Sequence, residues 1–141
     1  MTSPDGFRCS PNLLEASLMY YNRARNERLP YDLDGALSDL NTALQLDPEY
    51  GDAYLLRGHV WFAMRNYENA IQDFKLCATV PVPGNVFEAY LALGFAHARL
   101  LDYQAARDWF SLAKGKAPDY AMPYVEYHLA LATTDSLQTS G

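Results

Sequence analysis

Residues 51–78 read GDAYLLRGHVWFAMRNYENAIQDFKLCA, and their small and bulky apolar residues recur on both sides of the stretch. Gly58 has counterparts in Ala24, 34 residues earlier, and Gly94, 36 residues later. Ala36, Ala70 and Ala106 follow these positions by twelve residues, and Ala43, Cys77 and Ala113 come seven after that. Between the last two sets stand Leu40, Phe74 and Phe110, while Asp47-Pro48 and Ala117-Pro118 close the first and third units. A period of this length is the mark of stacked helical units, none of which can hide its apolar face alone. Such arrays usually offer a surface rather than an active site.

Proline and glycine punctuate the pattern into helices. Met1 to Pro11 reads as a flexible lead-in, with Ser10 capping and Pro11 at the first turn of a helix over about 12–28. Partner helices follow over 34–46, 52–64, 67–79, 86–100 and 103–114. A seventh is expected over about 120–132, and residues 133–141 read as a polar tail. The two glycines inside helices each cost up to ~1 kcal/mol relative to alanine, and the offsetting gain is close approach of a neighbouring helix. No strand signal competes.

Composition narrows the function classes. Half of the 141 residues are apolar and a fifth are charged, as in a folded domain of one unit. The formal net charge of −6 argues against a nucleic-acid binder, which needs basic groups to neutralise phosphates. No apolar run approaches the ~20 residues that span a bilayer, and the first eleven residues lack the features of a secretory leader. Cys9 and Cys77 have neither metal-type nor redox spacing; Cys77 falls on a buried phase and Cys9 is expected to be an exposed free thiol. A reducing, cytoplasmic setting is the expectation.

Catalytic and metal signals are weak. His59, His97 and His128 lie on different helices without an i, i+4 partner, so no metal site is expected. His97 and His128 read as core or interhelical groups. No phosphate-cradling loop and no nucleophile with a positioned base can be identified, so the chain does not read as an enzyme and needs no cofactor. Asp39, Glu68, Asp73 and Asp108 read as a solvated face.

The units resemble tetratricopeptide repeats over about residues 17–120. Tyr20, Tyr54 and Tyr90 fit that family's early aromatic slot, Gly58 and Gly94 its small slot, Leu93 its leucine slot, Trp61 its later aromatic slot, and Pro48 and Pro118 its closing proline. Arg23 and Arg57 depart from the leucine slot, Glu27 and His97 from the later aromatic one, and the second unit ends irregularly at Pro81-Val82-Pro83-Gly84-Asn85. The resemblance implies an all-α, right-handed superhelix of three helix pairs, residues 12–132, with units at about 17–50, 51–86 and 87–120 and a closing helix over 120–132.

The resemblance also implies that the first helix of each pair lines a concave wall which binds a peptide or helical segment of a partner protein. The family's inward phases give Leu18, Tyr21, Asn22, Arg25 and Arg28, then Asp52, Leu55, Leu56, His59, Phe62 and Ala63, then Glu88, Leu91, Ala92, Phe95, Ala98 and Arg99, with Val125 and Leu129 from the seventh helix. Of these, Tyr21, Asn22, Arg25, Arg28, Leu55, His59, Phe62, Leu91, Phe95 and Arg99 are the candidate binding set. Leu55, Phe62, Leu91 and Phe95 would form an apolar middle and Arg25, Arg28 and Arg99 a polar rim, although some of these side chains can instead pack between helices. Members that grip the carboxyl-terminal tail of heat-shock chaperones do so with basic and amide groups. This chain has Tyr21, Arg25, Leu56, Glu88 and Ala92 at those phases, which speaks against such a clamp. Adaptor, scaffold and chaperone roles, secretion chaperones included, stay open. So does self-assembly into a homo-oligomer through the sparsely charged seventh helix, or membership of a longer array.

Overall fold

The computed structural model describes residues 11–81 and 83–140, with side chains over 12–81 and 83–134. The expected lead-in over 1–10, with the Ser10 cap and the Cys9 thiol, lies outside the described residues. Among those residues all regular structure is helical: α1 (Pro11–Arg23), α2 (Leu33–Leu46), α3 (Gly51–Ala63), α4 (Tyr67–Thr79), α5 (Val86–Arg99), α6 (Tyr103–Lys116) and α7 (Met122–Ser140). The helix expected over 12–28 is two pieces, because α1 passes into a wider π-type turn over Ala24–Arg28 that closes with Leu29 N–H donating to the Ala24 carbonyl at 3.0 Å. The tail expected from Thr133 is corrected by α7, which continues as helix to Ser140. Thr133 and Thr134 return their hydroxyls to the carbonyls of Leu129 and Ala130, so these polar residues satisfy themselves within the helix.

Each helix packs on the one before it and the one after it, which makes α1–α2, α3–α4 and α5–α6 successive pairs with α7 stacked on the last. The second helix of each pair starts at the same cap. Asp32, Asn66 and Asp102 accept from the backbone N–H groups of Gly35, Asn69 and Ala105 at 2.8, 3.2 and 3.2 Å, satisfying a donor that has no partner inside the helix. The turns before the last two caps are tight. Arg65 and Leu101 sit at φ of 63° and 62°, the left-handed geometry that closes a helix end.

Within each pair the spacing is set by a ring lying on a glycine. A Cβ added to Gly58 would stand 2.5 Å from Cε1 of Phe74, and one added to Gly94 would strike Phe110 in the same way. Phe74 and Phe110 are fully buried, and so are Ala24 and Leu40 at the same phases in the first pair. The small–large recurrence read from the sequence is therefore a set of three inter-helix contacts. In α7 the glycine phase, 34 residues after Gly94, holds His128, whose ring lies 4.7 Å from that of Phe95 and 4.5 Å from that of Tyr124. Burial pushes its pKa down, as it does for His97, whose Nδ1 lies 3.6 Å from Asp102.

The acidic residues correct the expectation of a solvated face at two places. Asp39 and Asp73 are buried, each held by the arginine 16 residues earlier. Arg57 grips Asp73 with two bonds of 2.8 Å and reaches back to Asn41 of the preceding pair at 3.0 Å. Arg23 holds Asp39 through Nε at 2.9 Å, and both guanidinium groups lie over the tyrosine three residues before them, Tyr20 and Tyr54. In the third pair the same phases carry Leu93 and Trp109, and the Trp109 ring meets Tyr90 at 5.6 Å. Arg23 and Arg57 depart from the family's leucine because they are half of an ion pair.

Gly94→Leu is expected to destabilise the fold by about 1–3 kcal/mol through overpacking against Phe110; an unchanged thermal midpoint would overturn the ring-on-glycine account. Asp73→Ala should cost about 2 kcal/mol by leaving Arg57 half-buried and unpaired, with part of the loss recovered when Arg57→Leu is added. Denaturant titration of the two variants checks both signs. The Arg23 hydrogen bond holds the Asp39 carboxyl below its ordinary value. Its contribution is thus complete above the unfolded value near ~4 and is lost as pH falls through the lower folded value. Acid titration of stability should show a shallower slope below about pH 4 in Asp39→Asn than in the parent chain.

Candidate functional site

The first helices α1, α3 and α5 place their exposed sides on one wall, and two adjoining hollows open there. The first, about 300 Å³, lies between all three helices and is bounded by Tyr21 and Arg25 of α1, by Asp52, Leu55, Leu56 and His59 of α3, and by Asn85 and Glu88 at the start of α5. The second, about 260 Å³, is formed by His59 and Phe62 of α3 and by Ala92, Phe95 and Arg99 of α5. His59 lines both, so the two hollows adjoin along one trough.

The two ends differ in chemistry. At the polar end His59 Nε2 stands 3.3 Å from Glu88 Oε1, and this contact holds the Glu88 carboxyl below its ordinary value. Burial pushes the Tyr21 phenol up, with Asp52 adding to the effect and Arg25 opposing it. Asn85 is fixed because it caps α5, its side-chain oxygen accepting from Glu88 N–H at 3.0 Å. At the apolar end the Phe62 ring packs edge-on against Tyr67 at 5.1 Å, and the Arg99 guanidinium lies 5.5 Å above it. Phe95 is braced by Phe110 at 5.2 Å and by His128. These are half-buried aromatic groups held in place by their neighbours, the kind of surface that takes an apolar side chain from a partner.

Among the described residues no three His, Cys, Asp or Glu side chains gather as metal ligands would. No helix among them is long and apolar enough to cross a membrane.

Comparison with known proteins bears on this geometry. Residues 51–80, covering α3 and α4, match the model of the tetratricopeptide repeat. The structure superposes on the tetratricopeptide-repeat domain of Arabidopsis OM64 with a TM-score of 0.74 at 20% identity, covering 84% of this chain and 97% of that one. This is a tetratricopeptide-repeat fold. The first such domain of Spaghetti (RPAP3), in complex with the HSP90 peptide SRMEEVD, superposes with a TM-score of 0.70 at 16% identity over 83% of this chain and 95% of that one. In sequence, 59 residues are 34% identical to the DnaJ homolog subfamily C member 7 homolog of Dictyostelium discoideum. That match covers 42% of this chain and only 11% of the curated relative.

Within the tetratricopeptide wall, seven of the ten candidate residues meet at the trough: Tyr21, Arg25, Leu55 and His59 at the polar end, with His59, Phe62, Phe95 and Arg99 at the apolar end. Three do not. Asn22 is exposed on α1 and borders neither hollow. Arg28 is no part of the rim, because the π-type turn carries it to Asp32 at 3.1 Å and Asp39 at 3.5 Å. Leu91 packs toward Ala106, Phe110 and Ala132, and Val125, expected on the wall, is fully buried.

The apolar middle is accordingly narrower than the sequence suggested. Leu55 is almost wholly engaged in the core between the second and third tetratricopeptide units, which leaves Phe62 and Phe95 as its open aromatic pair. Asp52, Leu56, Glu88 and Ala92 stood on inward phases and do line the trough. Asn85 was missed, and its signal was the Asn85-x-x-Glu88 spacing of a capping box at the head of α5.

Proposed function

We propose that this chain is a protein–protein interaction module that binds a peptide or helical segment of a partner in the trough of its concave wall, as an adaptor, scaffold or chaperone. The observation that carries the reading is the adjacency of a polar and an aromatic hollow, both lined by His59, on the helices that face inward. A domain of the same fold is seen with a peptide of HSP90, and a curated relative over part of the chain is a DnaJ homolog; both support an interaction role. The same reading keeps the expectation of a reducing, cytoplasmic compartment, in which the buried Cys77 thiol, pushed up to about 11 by its burial, stays protonated and inert.

A second reading, self-association through α7, draws on a specific observation. Tyr124, Tyr127 and Leu131 are exposed on it, Tyr127 at 60%, and Tyr120, in the turn over Asp119–Ala121 that leads into it, is exposed at 88%. A solenoid's last helix is ordinarily polar on its outer side.

Phe62→Ala combined with Phe95→Ala should weaken binding of a trough ligand by about 100-fold or more, since buried aromatic anchors carry ~2 kcal/mol or more each. The helical far-ultraviolet signal should survive. Fluorescence anisotropy with labelled peptides measures the loss, and full binding by the folded double variant would remove the trough as the site. For α7, light scattering over a concentration series decides: a constant mass near 15.9 kDa would dispose of self-association.

A further inference from the structure

The polar end of the trough carries two carboxylates, one guanidinium and the His59 imidazole, whose Nε2 lies 3.3 Å from Glu88 Oε1. Asp52 projects from the first turn of α3 and Glu88 from the first turn of α5, and Arg25 of α1 offsets one of them. The remainder is an excess of negative charge on exposed carboxylates at the edge of a concave surface. The chain's net charge of −6 adds to the same sign at long range. The other end of the trough is the reverse, with Arg99 as its bordering charge, poised above the Phe62 ring.

Resting on the trough being the binding site, we infer that its occupant is an extended partner segment with a lysine or arginine side chain seated between Asp52 and Glu88 and an aromatic side chain four to five residues away against Phe62 and Phe95. The spacing follows from α3 itself. Asp52 and Phe62 are ten residues apart on one helix, about 15 Å at 1.5 Å per residue, and an extended chain covers that distance in four to five residues at ~3.3 Å each. Charge fixes the direction. A cation at the Phe62 end would face Arg99, and a carboxylate at the other end would face Asp52 and Glu88 with Arg25 alone to receive it. The trough thus selects against acidic tails such as the SRMEEVD segment held by the Spaghetti domain, and like-charge juxtaposition is an effective means of rejecting the wrong partner.

The test is selection of a random 12-residue phage-displayed peptide library on the immobilised full chain. Enriched clones should carry Lys or Arg four to five residues from Trp, Tyr or Phe. The best clone, made as an acetylated and amidated peptide, should lose about tenfold or more in affinity when Asp52→Asn and Glu88→Gln are combined. It should also be released by Phe62→Ala with Phe95→Ala. Clones that are acidic, or that hold their affinity in the carboxylate-free variant, while still depending on Phe62 and Phe95, would overturn the charge rule and leave the trough in place. No enrichment, or binding indifferent to the phenylalanine pair, would overturn the trough and this inference together.

Discussion

An aromatic ring pressed on a glycine is the constraint from which the rest of this structure follows. Phe74 on Gly58 and Phe110 on Gly94 leave no room for even a methyl group between the two helices of a pair. Because interiors are packed to the density of crystals, such contacts fix separation and crossing together rather than merely adding attraction. Each pair becomes a stiff unit, and the stack then presents α1, α3 and α5 side by side. The trough is the space left on the side where the rings do not reach. Its aromatic floor depends on the same device, since Phe95 is braced from behind by the ring that lies on Gly94.

Behind the wall, the pairs are held by an alternation of chemistries at one set of phases. In the first two, a tyrosine, an arginine and a buried aspartate form a layered contact; in the third, tyrosine, leucine and tryptophan fill the same places. The exchange removes charge and adds bulk, and it shows that the fold requires something large and well seated there rather than an ion pair as such. The Arg57 contact to Asn41 adds what the apolar version lacks, a polar link between consecutive pairs.

Much of the architecture was legible because it is periodic. Gly58 with Phe74 and Gly94 with Phe110 announce themselves by spacing, and the boundaries of α3 and α4 fall within a residue of where proline, glycine and apolar phase put them. What escaped was pairwise. Asp39 and Asp73 looked solvated because a carboxylate on a helix usually is, and only the recurrence of arginine 16 residues earlier distinguishes them. Arg28 looked like a groove residue because phase counting assumes 3.6 residues per turn, and the π-type turn over Ala24–Arg28 breaks that count. The C-terminal helix was cut short at Ala132 because Thr133, Thr134 and Ser136 resemble a tail, whereas α7 continues through them and the hydroxyls of Thr133 and Thr134 donate to the carbonyls of Leu129 and Ala130. For the trough, residue type and phase gave Phe62 and Phe95 but also Leu91, which packs toward α6 and α7 instead, while the division into an acidic and an aromatic compartment depended on which side chains turn inward.

His128 has a further bearing on how the last helix is held. At the phase where α3 and α5 carry glycine, α7 carries an imidazole that lies among Phe95, Phe110 and Tyr124. The closing helix is thereby keyed to α5 and α6 by a ring of its own, in place of a ring received on bare backbone.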